Sequence, residues 1–299
     1  MIRLRRGFGQ IKAAKEAYLY VLPMVAFMLL LVGYPLAETI RLSFYHETAF
    51  GSNSYFVGLS NYSRVFKDVV FWTVLVRTLV WTGSSVFLKT IIGLGGALLL
   101  NQKFPGRGIA RALILPPWLI PLPIGAYVWT WLYNGQHGLI TGILLRLHII
   151  HQPFEMLAYP TSAFVGCLIN DVWVGVPFMT LILLAGLQAI PNQLYESGRI
   201  DGANAWKAFW YITLPQLKRV LFIATLLSSV WTFNSFDVIW VQTGGGPLSA
   251  TTTLVIKTYK TAFRSWDFGM GSTLAVITFL ILGAVSALYI RSILKEETL

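Results

Sequence analysis

The 299 residues are 56% hydrophobic and 12% charged, with 14% aromatic residues. Soluble domains carry about 25% charged residues, so this composition places the chain among membrane proteins. The net charge of +11 is spread along the chain rather than gathered in one patch, which argues against nucleic acid, and the single cysteine, Cys167, leaves neither an internal disulfide nor a cysteine-based metal cluster.

Met1 to Glu16 carries Arg3, Arg5, Arg6, Lys12 and Lys15 against one acid. The apolar run Ala17 to Ile40 follows. About 20 apolar residues cross a bilayer, more than a signal-peptide core needs, so this run predicts an uncleaved first span with a cytoplasmic segment 1–16 before it. Arg41 to Phe71 reads as an external loop with short helices, turn-rich at Gly51 to Ser54. A second span is expected near Thr78 to Leu100, with Lys89 close to its middle. Lys103, Arg107 and Arg111 flank a short turn and place it in the cytoplasm. The third span, about Ala112 to Leu132, is interrupted by Pro116, Pro117, Pro121 and Pro123 and cannot be a straight regular helix. Such backbone is tolerated at membrane depth only when buried in protein or facing a wet cavity.

Tyr133 to Pro160 is read as a second external loop, and a fourth span is expected over about Thr161 to Ile190. Then comes ESGRIDGANAWKAFWYITLP, Glu196 to Pro215, the most polar stretch of the second half. Its halves, Asn192 to Ile200 and Asn204 to Ile212, each read as helix, with Gly202 where a helix would end and Pro215 in the first turn of the next. A fifth span is expected over about Leu217 to Val241, an external segment from Gly244 to about Trp266, and a sixth span over about Gly269 to Ile290. Six spans with both termini inside put the main cation clusters on one side. Arg41, Arg64, Lys67, Lys257, Lys260 and Arg264 fall outside, beside acids or in long loops, where the rule is weaker. The expected organisation is all-α: a cytoplasmic segment 1–16, a first span and external loop 17–76, a core of five spans 77–293 holding the polar loop 192–215, and a tail 294–299.

The chain contains no phosphate-binding G-x-x-x-x-G-K-[ST] loop and no serine in a G-x-S-x-G elbow. Gly93, Gly95 and Gly96 follow no strand and read as helix-packing glycines. His148 and His151 have no thiolate or paired acid nearby, so no metal site is expected. The informative polar groups are those inside spans: Lys89, Asn170, Asp171, Asn234 and Asp237. Charges at the bilayer centre cost about 2.5–3.5 kcal/mol on insertion scales, so they face the bundle interior or water. Trp231, Asn234 and Asp237 recur every third residue, which predicts one stripe of the fifth span. An aromatic plate beside amide and carboxylate acceptors suits a sugar; the alternative is hydrogen bonding between neighbouring helices.

In the polar stretch, Glu196, Gly202, Ile212, Leu214 and Pro215 match the spacing of a known loop motif: Glu-Ala-Ala, three residues, Gly, nine residues, Ile, one residue, Leu-Pro. Ser197 and Gly198 replace the two alanines. Trp173, Pro177–Phe178, LLAGLQAIP (Leu183 to Pro191), DGANAW (Asp201 to Trp206), NSFDVIWVQTGGGP (Asn234 to Pro247), TTTL (Thr251 to Leu254), YKTAF (Tyr259 to Phe263), GLSNYSRVFKD and PGRGIARALILPP (Pro105 to Pro117) extend the match. The chain resembles the permease subunits of binding-protein-dependent ABC importers, of the maltose- and glycerol-phosphate-transporter type.

The resemblance implies a six-span importer permease in a prokaryotic inner or plasma membrane, paired with a second homologous permease. It also implies two cytoplasmic ATPases, an external solute-binding protein and a carbohydrate solute. This chain would hold no cofactor, ATP and magnesium being bound by the ATPases. Glu196 would contact the ATPase, Gly202 would make the turn, and Ser197, Gly198, Asp201 and Ala203 would pack at that joint. Asn170, Asp171, Trp173, Trp231, Asn234, Asp237 and Gly245 would line or border the solute path. Rival readings are a glycerol-phosphate or polyol solute in the same machinery, a secondary transporter driven by protons through Asp171 or Asp237, and an intramembrane enzyme using that pair.

Overall fold

A computed structural model describes residues 15–48 and 54–296. The cations from Arg3 to Lys12 and the turn residues Gly51 to Asn53 lie outside these residues. Backbone contacts divide the chain into two units, one comprising the segment up to Lys67 with Lys260–Ile277, the other Asp68–Tyr259 with Thr278–Leu299.

In the first unit, helix α1 (Lys15–Met28) passes through a π-turn, Leu29–Gly33, into α2 (Tyr34–Leu42). The stretch Tyr18–Leu42 is apolar, and its most apolar window contains no buried residue. A helix apolar on every side, with Leu29, Leu30 and Leu31 all exposed, is stable only against lipid. Two-residue strands β1 (Tyr45–His46) and β2 (Tyr55–Phe56) pair antiparallel, and α3 (Ser60–Lys67) follows. The expected loop therefore contains strands as well as a helix. Asn61, 1% exposed, holds it together: its Nδ2 donates to the carbonyls of Ser43 (3.1 Å) and Tyr45 (2.9 Å). An asparagine's two amide hydrogens let one side chain tie both carbonyls of the turn together, and the Ser43 carbonyl accepts a further bond from Thr273 Oγ1 at 3.1 Å.

The second unit is built on α4 (Val69–Asn101). It starts at Val69, earlier than the expected Thr78, because Asp68 caps it: the Val70 N–H donates to Asp68 Oδ1 at 2.8 Å. Helix α4 packs along α9 (Pro160–Gln188), and α12 (Leu214–Phe233) packs on both. Small residues set their approach. A Cβ on Gly93 would lie 2.6 Å from Met179 Cγ, one on Gly96 3.1 Å from Thr180, and one on Gly186 2.7 Å from Leu217. Gly95 differs from its neighbours, with nothing within 4 Å of a would-be Cβ, so it does not pack a helix contact. Ala97, Met179, Leu183, Leu217 and Ala224 are fully buried at this junction.

The proline-rich third span is broken as its sequence predicts. It comprises α5 (Arg107–Leu113), α6 (Pro116–Leu119) and α7 (Leu122–Leu132), with a 95° bend before α7. The loop after it holds α8 (Leu139–Arg146) and a short 3₁₀ turn, Met156–Ala158. Helix α10 (Asn192–Ile200) matches the expected first half of the polar stretch. The second half differs. Helix α11 (Ala205–Ala208) does not stop at Ile212 but runs through a π-turn, Phe209–Thr213, directly into α12. Pro215 is thus carried inside a continuous helical run. At both Pro35 and Pro215 a π-turn lies just upstream, its wider spacing absorbing the clash and the missing N–H that a proline imposes on a regular helix. Beyond α12 come α13 (Asp237–Thr243), the Gly244–Pro247 turn, α14 (Leu254–Tyr259), a π-turn Lys260–Arg264, and α15 (Phe268–Glu296). Five helices among the described residues are long and apolar enough to cross a membrane, and the bent third span makes six.

Candidate functional site

Two features stand out in the second unit: a cavity among the helices with charged groups in its wall, and the polar loop that carries Gly202.

The cavity, about 590 Å³, opens between α4, α6, α9 and the junction of α12 with α13. Lys89 and Asp171 lie in its wall, 5% and 7% exposed. Lys89 Nζ donates to Asp171 Oδ2 at 2.6 Å and to Thr232 Oγ1 at 2.9 Å. Ser85 Oγ donates to the same carboxylate oxygen, and Ser235 Oγ to Oδ1 at 3.4 Å. A buried charge is tolerable in this setting only when paired and hydrogen-bonded, and this pair is both. Room for the lysine comes from Gly175, one turn beyond Asp171 on α9. A Cβ there would collide with Lys89 Cε and lie 2.7 Å from its Cδ and 3.0 Å from Nζ. Trp81, also from α4, donates its indole N–H to the Thr232 carbonyl at 3.1 Å. Two α4 side chains thus grip the end of α12.

On the same wall Trp231, 53% exposed, packs edge-on against Phe178 with ring centroids 4.8 Å apart, and Phe178 lies 6.0 Å from Trp118. Trp231, Asn234 and Asp237 all reach the cavity, but not as one stripe. Helix α12 ends at Phe233, with Asn234 as its cap at φ −92°, ψ 11°, and Asp237 opens α13. The cause is local: Asn234 Nδ2 donates back to the Val230 carbonyl at 2.9 Å, a side-chain bond that competes with continuing the helix. Helix α13 has no side-chain cap of its own, so the Asp237 carboxylate in its first turn complements the exposed N–H groups electrostatically.

The structure therefore gathers Asp171, Trp231, Asn234 and Asp237 at one cavity. It places the other three sequence candidates elsewhere. Asn170 is fully buried, and neither its amide oxygen nor its nitrogen has a hydrogen-bond partner among the described residues. Trp173 packs against Trp129 at 5.7 Å and beside Gly125. Gly245, at φ +89°, is part of the turn after α13, its N–H donating to Thr243 Oγ1 and its carbonyl accepting from Thr252 Oγ1. Lys89, assigned to no site from sequence, is a wall residue; the signal was a lone cation deep in an apolar run. Trp118 carried no individual signal, since aromatics are common in spans, and Phe178 was singled out only as part of the family match, not for a place in the cavity.

The loop is compact. Gly202 takes φ +78°, the left-handed conformation a glycine turn supplies without strain. The Gly202 N–H donates to the Arg199 carbonyl at 3.0 Å and the Ala203 N–H to the Gly198 carbonyl at 2.8 Å. Asn204 Oδ1 caps α11 by accepting from the Lys207 N–H at 2.9 Å. Gly198 is half-buried, and a Cβ on it would lie 2.7 Å from Ile212 Cδ1, so the first helix sits close against the second. Ala203 is half-buried beside it, while Glu196, Ser197, Asp201 and Gly202 are exposed. Ile200 (87% exposed), Tyr211 (80%) and Trp206 (70%) add apolar surface. Shallow clefts flank the loop, one lined by Tyr195, Arg199 and Ala203, the other by Ser197, Gly198 and Asp201.

Helices sheathed in exposed apolar side chains, a largely apolar cavity with a few polar groups in its wall and an ordered polar loop are the build of a membrane transport protein of the permease class. The chain belongs to the family of binding-protein-dependent transport system inner membrane components, whose sequence profile matches residues 17–297. It is a permease subunit of an ABC importer, a multi-pass inner-membrane protein, and not the ATPase. Among its relatives is the trehalose/maltose transport system permease protein MalF of Thermococcus litoralis, 40% identical over 280 residues, spanning 94% of each chain. Another is the sulfoquinovosyl glycerol transport system permease protein SmoG of Agrobacterium fabrum, 34% identical, covering 94% of this chain and 91% of that one. The fold also matches a chain of a bacterial ABC transporter involved in import of the acidic polysaccharide alginate, with TM-score 0.79 and 20% identity, over 96% of this chain and 99% of that one.

Proposed function

We propose that this chain forms half of the transmembrane path for uptake of a mono- or oligosaccharide. An external solute-binding protein delivers the solute, a second homologous permease completes the path, and two cytoplasmic ATPases supply the energy. The observation that carries the reading is the cavity wall, where the exposed face of Trp231 stands beside the Asn234 amide and the Asp237 carboxylate. A sugar offers a flat apolar face for stacking and hydroxyls that need fixed partners, and the cavity's size is that of small-molecule sites. The names of the relatives, trehalose/maltose and sulfoquinovosyl glycerol permeases, point to the same solute class.

In this reading the loop around Gly202 faces the cytoplasm, with Glu196 and the joint of Ser197, Gly198, Asp201 and Ala203 seated in an ATPase groove. ATP-driven closure of the ATPases then rocks the helices and turns the cavity outward, a rigid-body alternation. ATP and magnesium stay on the partner. The test is uptake of labelled maltose or trehalose by proteoliposomes holding the whole importer with its binding protein. Accumulation should require ATP inside and persist with a proton uncoupler. Accumulation that survives an ATPase-dead partner and collapses with the uncoupler would show an ion-driven carrier instead.

A further inference from the structure

The cavity wall has an uneven charge pattern. Its lining holds one ammonium, on Lys89, and two carboxylates, on Asp171 and Asp237. The ammonium is occupied: Asp171 and Thr232 accept from it, Ser85 and Ser235 complete the Asp171 carboxylate, and the lysine stem lies folded over Gly175, leaving the residue 5% exposed. Asp237 is only half-buried, and its carboxylate has no side-chain or backbone donor among the described residues. What the wall presents to a solute is therefore an aromatic face, an amide and one free negative charge.

We propose that this wall selects uncharged polyhydroxyl solutes and rejects anionic saccharides. Asp237 is the repelling group, and the Lys89–Asp171 pair cancels the one cation that would otherwise attract an acid. The proposal rests on the reading of this cavity as the carbohydrate path. Hydroxyl groups donate to a free carboxylate and are held by it. A uronate or sulfonate brings a like charge into the same low-dielectric space, where repulsion is weakly screened. Relatives that share the fold carry names of both kinds, trehalose/maltose on one side and acidic alginate on the other, so the fold leaves charge preference to the side chains of the wall.

The test uses the assembled complex of this chain with its partner permease and ATPases, in detergent and without the binding protein. Equilibrium dialysis compares labelled maltose with a glucuronate-containing disaccharide of the same length. The native complex should favour maltose by roughly tenfold or more, the size expected of one unscreened like charge at close range. Asp237→Asn should bring the ratio toward one. Asp171→Asn, which leaves the Lys89 ammonium uncancelled, should move the ratio toward the acid. The readout is the ratio, so a variant that weakens both sugars equally still reports. If Asp171→Asn fails to assemble, Asp237→Asn decides alone, since Asp237 is only half-buried and the substitution keeps the size and shape of its side chain. Equal binding of the two sugars by the native complex overturns the proposal, as does an unchanged ratio in Asp237→Asn, while the carbohydrate path survives either result. Binding of neither sugar overturns the carbohydrate reading of the cavity and this proposal with it.

Discussion

Lys89 reaches Asp171 because residue 175 is glycine. A single added methyl there would overlap the lysine stem, so Gly175→Ala should lower the melting temperature of the detergent-purified protein, a loss of about 1–3 kcal/mol as for overpacked cores. An unchanged melting temperature would mean the stem has a second route. The ion pair predicts a non-additive pattern. Lys89→Met leaves the Asp171 carboxylate buried beside only hydroxyls, and Asp171→Leu leaves the ammonium unpaired, each costing about 3–5 kcal/mol. The double substitution Lys89→Met with Asp171→Leu should recover much of that loss, because it removes both charges together. Thermal melts of the four proteins measure the coupling, and additive losses would contradict it. At this scale the sequence was partly legible. A lysine and an aspartate inside apolar runs advertise themselves, but that they meet, and that Asn170 does not join them, depends on how α4 rotates against α9.

Among the elements, the N-terminus of α4 shows how one aspartate makes a local cap and a long-range ion pair at a boundary. Asp68 caps the helix and receives a hydrogen bond from Lys257 of α14 at 2.9 Å, and this contact with the ammonium holds its carboxyl below the usual range against the opposing effect of partial burial. The folded pKa lies below the unfolded one, so the stabilisation is present above about pH 4 and is lost as pH falls through the lowered folded value. The side chain is 41% exposed, which limits the pair to about 0.2–1 kcal/mol. Asp68→Asn keeps the cap and removes the charge. Its melting temperature should lie slightly below that of the native chain at pH 7 and converge with it in acid; a constant gap across that range would assign the difference to the cap alone.

The loop makes a sharper prediction. Gly202 at φ +78° would be strained by any side chain, and Glu196 is exposed. Gly202→Asp and Glu196→Lys should leave the protein inserted, as read by membrane fractionation, while cutting solute-stimulated ATP hydrolysis of the complex by at least about tenfold. Normal uptake by both variants would count heavily against an ATPase contact here. Gly198, in place of the motif's second alanine, is accounted for by packing: Ile212 occupies the space a Cβ on residue 198 would need; nothing in the structure explains the serine at 197. The first helical half of the loop, Asn192 to Ile200, was readable. The continuation through Pro215 was not, because a π-turn has no composition signal and a proline normally marks a start.

For the whole molecule, the charge distribution predicts sidedness. Cys167 is fully buried, so the chain is silent to water-soluble thiol reagents. Cysteines placed at Ile200 (87% exposed) and at Leu248 (91% exposed) should report opposite faces of the membrane. In intact cells with the outer barrier permeabilised, an impermeant maleimide should label Leu248→Cys and spare Ile200→Cys until the inner membrane is opened. Labelling of both, or the reverse order, would invert the topology drawn from the cation clusters.

Apolar run length, cation placement and proline content by themselves determined that this is a six-span helical membrane protein with one broken span, since each reports the chain's interaction with the bilayer, a solvent whose demands are readable one segment at a time. The loop motif determined its family for a similar reason, being contiguous. The tertiary structure alone decided which polar residues share a cavity. Trp231, Asn234 and Asp237 converge there through a helix break rather than a helical stripe, Lys89 and Asp171 meet across a glycine, and Asn170, Trp173 and Gly245 turn elsewhere. Those placements follow from helix rotation, from an ion pair between residues distant in sequence and from a side-chain bond that ends α12, none of which a local period encodes.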